Sequence, residues 1–178
     1  MSIQIIGGKY RGRKISVPKS SGLRPTGNRI RETLFNWLQR DIQDLHTLDL
    51  FAGSGLLSFE AISRGAASST LIEKNKKNHL CLNKCLAFFP NEQISVYNAD
   101  AISFLKKNSL DKYQLIFIDP PFSTNLLEET LEIIKTKIKS NILLYIEAPV
   151  LIDSLPFEAE CLKSKHTGQV YYALFKTL

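Results

Sequence analysis

The chain has 178 residues, enough for one domain with a small appendage. Hydrophobic content of 44% and charged content of 22% are those of a globular protein that needs no disulfide or metal staples. No apolar run is long enough to span a bilayer, and the N-terminus lacks the shape of a signal peptide. Cys81, Cys85 and Cys161 make an odd count without C-x-x-C spacing, which points to reduced thiols in the cytoplasm.

The net charge of +6 is unevenly placed. Residues 1–40 carry nine Lys or Arg against the single acid Glu32, while the rest carries fourteen against sixteen acids. A basic arm on a nearly neutral body suggests a polyanion partner. Glycine and proline interrupt the first twenty-seven residues too often for a membrane-surface helix.

Residues 3–17 read as a small hairpin. Ile3, Ile5 and Ile6 precede Gly7-Gly8, and Ile15 and Val17 follow Lys9, Arg11, Arg13 and Lys14. Tyr10 stands among these charges, where it can stack on a base or ribose. Residues 20–27 have loop composition, and a helix should begin near Asn28, a good N-cap type. Ile30, Leu34, Trp37 and Leu38 recur at helical spacing and form its buried face. Arg24, Arg29 and Arg31 lie at or before its start, the end that the helix dipole reserves for anions. That placement suggests a bound phosphate or carboxylate.

From residue 46 strand and helix alternate. Strands are expected at 46–50, 69–73, 94–97, 113–118 and 142–147, with helices near 55–64, 75–88, 100–107 and 124–137. This pattern predicts an α/β fold, a parallel sheet with helices on both faces. Residues 157–163 and 169–176 then follow one another around Thr167-Gly168 and should close the sheet as an antiparallel pair.

Acids close four of these strands. The first ends in Asp49-Leu50-Phe51-Ala52-Gly53-Ser54-Gly55, whose glycines permit a tight turn and close approach to a ligand. The second ends at Glu73, where a carboxylate can accept both hydroxyls of a ribose. Asp100, after the third, can receive an adenine amino group. Gly53-Ser54-Gly55-Leu56-Leu57-Ser58 narrowly misses the dinucleotide pattern G-x-G-x-x-G/A. Asp49 favours S-adenosylmethionine over a dinucleotide, because an acid there meets the methionine ammonium and repels a pyrophosphate. Phe51, Gly53, Gly55, Ala101 and Thr26 complete the expected cofactor set.

The fourth strand, Leu115-Ile116-Phe117-Ile118, runs into Asp119-Pro120-Pro121-Phe122. Two prolines lack amide donors, stop the strand and hold the turn rigid. An acid, fixed carbonyls and an aromatic ring then stand where open α/β sheets bind ligands. This suits attack by an exocyclic base amine, a poor nucleophile whose lone pair is delocalised into the ring. Acceptors on its hydrogens, here Asp119 and the Pro120 carbonyl, favour a tetrahedral nitrogen with a localised pair. Phe122 can stack on the base. No Cys lies near this stretch, which argues against carbon-5 pyrimidine methylation through a thiolate.

Other groups read as structural. Cys81 and Cys85 lie one helical turn apart but lack further metal ligands, the three histidines are scattered, and the lysines at 74–77 and 135–139 fit solvated helix faces. Three alternatives stay open: an adenine-N6 methyltransferase on RNA or DNA, a NAD-dependent oxidoreductase, and a non-catalytic RNA-binding assembly factor.

The chain resembles the bacterial family that converts one guanine of 16S ribosomal RNA to N2-methylguanine, the small-subunit methyltransferase D type. The likeness is densest in Ile6-Gly7-Gly8 with Arg11-Gly12-Arg13, in Gly22-Leu23-Arg24-Pro25-Thr26, and in Arg31-Glu32-Thr33-Leu34-Phe35-Asn36. It continues through Asp49 to Gly55, Ser63-Arg64-Gly65-Ala66, Asp119 to Phe122, and Gly168-Gln169-Val170. Asn28 departs from the usual Asp and serves equally as a cap. The resemblance implies a Rossmann-like seven-stranded sheet. It divides the chain into a basic RNA-contacting extension, 1–27, and a catalytic domain, 28–178. It also implies 16S RNA in the small subunit or its assembly intermediate as the substrate, and a monomer is expected. The base leaves its stack for direct in-line methyl transfer, with no metal. Catalysis falls to Asp119, Pro120, Pro121 and Phe122, and RNA contact to Lys9, Arg11, Arg13, Lys14, Arg24 and Arg29.

Overall fold

The computed structural model describes residues 2–16 and 27–178. A two-stranded hairpin comes first, β1 (Ser2–Gln4) antiparallel to β2 (Lys14–Ser16). Then follow α1 (Asn28–Trp37), β3 (His46–Asp49), α2 (Leu56–Ser63), β4 (Ser68–Ile72) and α3 (Lys76–Cys85). After a 3₁₀ turn come β5 (Gln93–Tyr97), α4 (Ala101–Lys107), β6 (Leu115–Ile118), α5 (Leu126–Lys135), β7 (Leu143–Ala148), β8 (Ala159–Thr167) and β9 (Val170–Thr177). The expected elements are present with ends shifted by a few residues.

Strands β3 to β9 form one seven-stranded sheet in the order β5-β4-β3-β6-β7-β9-β8. The first five are parallel, and β9 pairs antiparallel with both β7 and β8. This is a Rossmann-like α/β fold with the seven-stranded sheet that the resemblance implies. The chain reverses its direction of winding between β3 and β6, which opens a crevice above their carboxyl ends.

Alternating side chains divide between two cores. Leu115 and Phe117 of β6, Tyr145 of β7 and Leu174 of β9 join α1, α2 and α3 on one face. Ile116, Ile118, Leu144, Ile146 and Phe175 join α4 and α5 on the other. Strand β6 is buried throughout, so it reads as an unbroken apolar run. Edge strand β8 is mostly exposed, and a register shift between Cys161 and Lys163 breaks its alternation. Its polar makeup explains why it extends four residues beyond the expected end.

Helix α2 is buried along its whole length, because the hairpin covers its outer side. Ile5, Tyr10 and Ile15 belong to the same core as α2. Gly8 adopts φ +75° where an added Cβ would run into the Ser63 carbonyl, and the next amide, Lys9 N–H, donates to that carbonyl at 2.6 Å. The hairpin is held by Glu60, whose carboxylate is fully buried. It accepts the Ile6 amide at 3.0 Å, Arg31 Nη1 at 3.4 Å and Arg64 Nε at 2.8 Å.

Three expectations are corrected here. Arg31 is no anion-site residue: it is wholly buried, paired with Glu60, and donates to the Gln4 carbonyl at 3.1 Å. Asn28 is not the cap: Gly27 holds that position, and the Asn28 side chain accepts from Arg31 Nη2 at 2.7 Å. Tyr10 cannot stack on a nucleotide, because its ring packs edge-on to Phe89 and its hydroxyl donates to Glu92 at 2.6 Å. Trp37 is half-buried and stacks on Tyr172. Val17, Arg24 and Thr26 lie outside the described residues.

Removing one partner of a buried ion pair strands the other's charge, at about 3–5 kcal/mol. Glu60→Ala is therefore expected to lower unfolding free energy by about that amount. Chemical denaturation checks this, and an unchanged midpoint would contradict the role given to Glu60.

Candidate active site

Because β3, β4, β5 and β6 are parallel, the acids at their ends share one rim. Asp49 ends β3 and is almost wholly buried. Its Oδ2 accepts the Ser58 hydroxyl from α2 at 3.0 Å. Burial pushes its carboxyl up to about 7, against the pull of Ser58 and the Phe51 amide. An arriving cation would favour its ionised form.

The glycine loop is tied to the next strand. Gly53 N–H donates to Glu73 Oε2 at 2.8 Å, and Asn75 N–H donates to Oε1 at 2.6 Å. Burial raises the Glu73 pKa, and these two amides oppose the rise. The Asn78 side chain also donates to this carboxylate, which has about four acceptor positions, so capacity remains for a further donor. Gly55 precedes α2 with φ +74°, and a Cβ there would sit 2.6 Å from Leu82 Cδ2 and 2.7 Å from Phe59 Cε2. Only glycine lets the loop turn this tightly over the core.

Asp100 caps α4 by accepting Ser103 N–H at 3.0 Å and faces Lys74 Nζ at 3.0 Å. The Ser103 amide chiefly, with Lys74, holds its carboxyl below the usual range. Buried Ala101 opens the helix. Phe51 is half-buried beside the loop.

Asp119 is half-buried at the tip of β6, Pro120 is buried and Pro121 exposed. The Pro121 carbonyl accepts the Thr124 hydroxyl at 2.7 Å, which pins the turn. Phe122 leaves 38% of its surface exposed, much for a large apolar ring. Asp49, the glycine loop, Glu73 and Asp119 thus converge around the β3–β6 crevice.

The basic side chains are placed elsewhere. Lys9 is exposed and pairs with Glu92 at 2.7 Å, which raises the lysine's pKa. Arg13 lies over the Tyr10 ring at 4.7 Å, while Arg11, Lys14 and Arg29 are exposed. The hairpin tip docks at the carboxyl end of α2, away from the glycine loop that starts it. A helix of this length separates the two by roughly 12 Å.

One rim acid has no counterpart in the sequence reading. Glu147 lies near the end of β7, is buried, and accepts the Tyr145 hydroxyl at 2.8 Å. Burial, then Glu147, keeps that hydroxyl protonated well above the usual range. The residue sits in the run Leu143-Leu144-Tyr145-Ile146-Glu147-Ala148, and an acid inside such a strand was the available signal. Farther along the rim, Leu151, His166 and Tyr171 border a cavity of about 170 Å³ that the acids do not reach. Among the described residues no cluster of three His, Cys, Asp or Glu suits a metal, and no helix is long and apolar enough to cross a membrane.

The family model described as conserved hypothetical protein 95 matches residues 3–176. The chain is 43% identical over 178 residues to the ribosomal RNA small subunit methyltransferase D of Escherichia coli K12, covering 98% of this chain and 89% of that one. It is 40% identical over 187 residues to the like-named protein of Haemophilus influenzae, covering 98% and 93%. A solved structure described as a putative methyltransferase from Escherichia coli superposes with a TM-score of 0.89 at 43% identity, covering 99% of this chain and 98% of that one. With nearly its whole length matched, the chain belongs to the small-subunit ribosomal RNA methyltransferase D family.

Proposed function

We propose that the protein methylates the exocyclic N2 of one guanine in 16S ribosomal RNA, in the cytoplasm and as a monomer. The substrate is the small subunit or its assembly intermediate. The observation that supports this reading is that Asp119 follows β6 directly, next to β3 and its tethered glycine loop, with Pro120 and Phe122 just beyond. Family membership supports methyl transfer to ribosomal RNA.

The residues present fit S-adenosylmethionine. Asp49 offers a buried carboxyl to an ammonium, Glu73 offers acceptors to a ribose, and the glycine loop brings backbone close to a ligand. Phe51, Gly53, Gly55, Asp100 and Ala101 complete the site. Bound there, the cofactor supplies a methyl group on a positively charged sulfur.

The chain's own residues prepare the base. The guanine leaves its stack, at a cost of a few kcal/mol, and Phe122 stacks on it, contributing about 1–3 kcal/mol. Asp119 and the Pro120 carbonyl accept the N2 hydrogens and direct the nitrogen lone pair outward. Holding the reactants aligned contributes on the order of 7–11 kcal/mol. The proton lost from N2 passes to Asp119 or to solvent. The basic extension, 1–27, holds the RNA, and residues 28–178 do the chemistry.

Asp119→Ala is expected to abolish transfer of a labelled methyl group while cofactor affinity stays within a few-fold. Full turnover by that variant would refute the assignment, and nucleoside mass spectrometry separates N2-methylguanine from N6-methyladenine.

Cofactor affinity should also follow the ionisation of Asp49. Above pH 7 the carboxylate meets the ammonium already charged. Below it, binding must first expel a proton, so affinity should fall by up to about tenfold per pH unit. Calorimetry from pH 8 to 6 measures this, and Asp49→Asn should bind weakly with a flattened profile. A flat wild-type profile contradicts the ammonium contact.

For the arm, Ala at Lys9, Arg11, Arg13 and Lys14 should flatten the log–log salt dependence of RNA binding by about 0.7–0.9 per lost phosphate contact. An unchanged slope would remove the arm from the RNA interface.

A further inference from the structure

Outward from the rim acids the sheet leads to a second feature. Ile118 of β6 lies beside Ile146 of β7, Ala148 of β7 beside Tyr171 of β9, and Tyr171 beside His166 of β8. Neighbouring strands are about 4.8 Å apart, so the end of β8 stands about 14 Å from the tip of β6, on the same edge of the sheet. The rings of His166 and Tyr171 are stacked there, with centroids 4.2 Å apart and an interplanar angle of 23°. Tyr171 is half-buried and His166 exposed. Tyr171 therefore backs the imidazole, whose outer face is open to a further ring.

This pair borders the cavity of about 170 Å³, which Leu151, Ile152, Ser164 and Lys165 also line. One water needs about 10–15 Å³ of such space, so the cavity takes about ten waters or one flat heterocycle. Among the described residues no acid lines it. The last five residues of β8, 163–167, hold Lys163, Lys165 and His166 and no acid. Exposed apolar side chains link this wall to the active site. Phe122 follows β6, while Val150 and Leu151, 64% and 56% exposed, follow β7. Such a run of large apolar groups marks a binding surface. Stacked rings beside a basic strand favour an unpaired nucleotide over a protein, since the rings take the face of a base and a lysine takes its phosphate.

We propose that this cavity is a second nucleotide site, in which an unpaired nucleotide near the target on the same RNA strand stacks on the His166–Tyr171 pair while Lys165 meets its phosphate. This rests on the reading of the protein as a ribosomal RNA methyltransferase that draws its target base out of the stack. Extruding one base deprives its neighbours of a stacking partner, and the cavity replaces that partner. The site thereby selects a loop, whose bases are free to splay, over a paired stem.

The test uses small subunits reconstituted from 16S RNA that carries one abasic residue. That residue is placed in turn at each of the two nucleotides on either side of the modified one. The wild-type protein is expected to bind at least one of these subunits about five- to a hundredfold more weakly than the intact subunit. His166→Ala should weaken binding of the intact subunit by a like factor and add nothing against the sensitive abasic one. Its affinity for S-adenosylmethionine should stay at the wild-type level, which reports a folded chain, and His166→Trp should restore binding. Equal wild-type affinity for intact and all abasic subunits would overturn the proposal. So would a His166→Ala loss as large on the abasic subunit as on the intact one, which would assign the surface to a protein of the subunit. Should that variant fail to fold, the wild-type series alone decides. Methyl transfer without any abasic sensitivity defeats this proposal only, whereas no transfer to intact subunits defeats the underlying reading.

Discussion

A single buried carboxylate, that of Glu60, fixes how the basic arm meets the catalytic body. Its three partners come from three elements: the Ile6 amide from the hairpin, Arg31 from α1 and Arg64 from α2 itself. Such a group is expensive to bury and must be satisfied on all sides. Arg31, which reaches Gln4 and Asn28 as well, extends the same network into the hairpin backbone. Helix α2 therefore carries the glycine loop at one end and the arm at the other. A substrate held by the arm and a cofactor held by the loop would be referenced to one rigid helix.

The rim makes the opposite use of charge. Asp49 and Glu73 are both buried at the carboxyl ends of neighbouring parallel strands, yet among the described residues neither has the kind of arginine pairing that satisfies Glu60. Asp49 instead rests on the Ser58 hydroxyl, with Glu73 and Glu147 adding to its reluctance to ionise. Perturbed acids held this way in a crevice are the mark of a binding site. Uncharged donors of the chain hold Asp49 and Glu73, whereas the chain's own arginines neutralise Glu60. That difference separates the structural acid from the proposed functional ones.

Much of this was legible from the residues. The strand-helix alternation, the closing antiparallel pair, the Gly53–Gly55 turn and the acids at 49, 73, 100 and 119 all follow from period and turn chemistry. Arg31 and Tyr10 were misread for a common reason. Each sits among exposed basic residues, so local context argued for solvent, and only tertiary contact with α2 and Phe89 buries it. Glu60 was silent, and Glu147 gave only the weak signal of an acid inside a strand, because a lone acid in an apolar run carries no period. Its meaning depends on which strand or hairpin the fold lays beside it. The Asn28 cap was displaced by one residue, a shift that local propensity cannot resolve.

The tip of β6 brings these constraints together. An amine that is weakly nucleophilic in solution gains reactivity only if its acceptors stay where they are as charge develops. Pro120 and Pro121 have no amide hydrogens and a restricted φ, so this turn has few ways to relax. The Thr124 hydroxyl holds the Pro121 carbonyl, and β6 beneath is buried on both faces between β3 and β7. Asp119 therefore stands at the end of a central, fully buried strand, while Phe122 beyond it is exposed. Acceptors on a central strand, with an exposed ring at the mouth, are the arrangement that the proposed direct methylation of a purine amine would require.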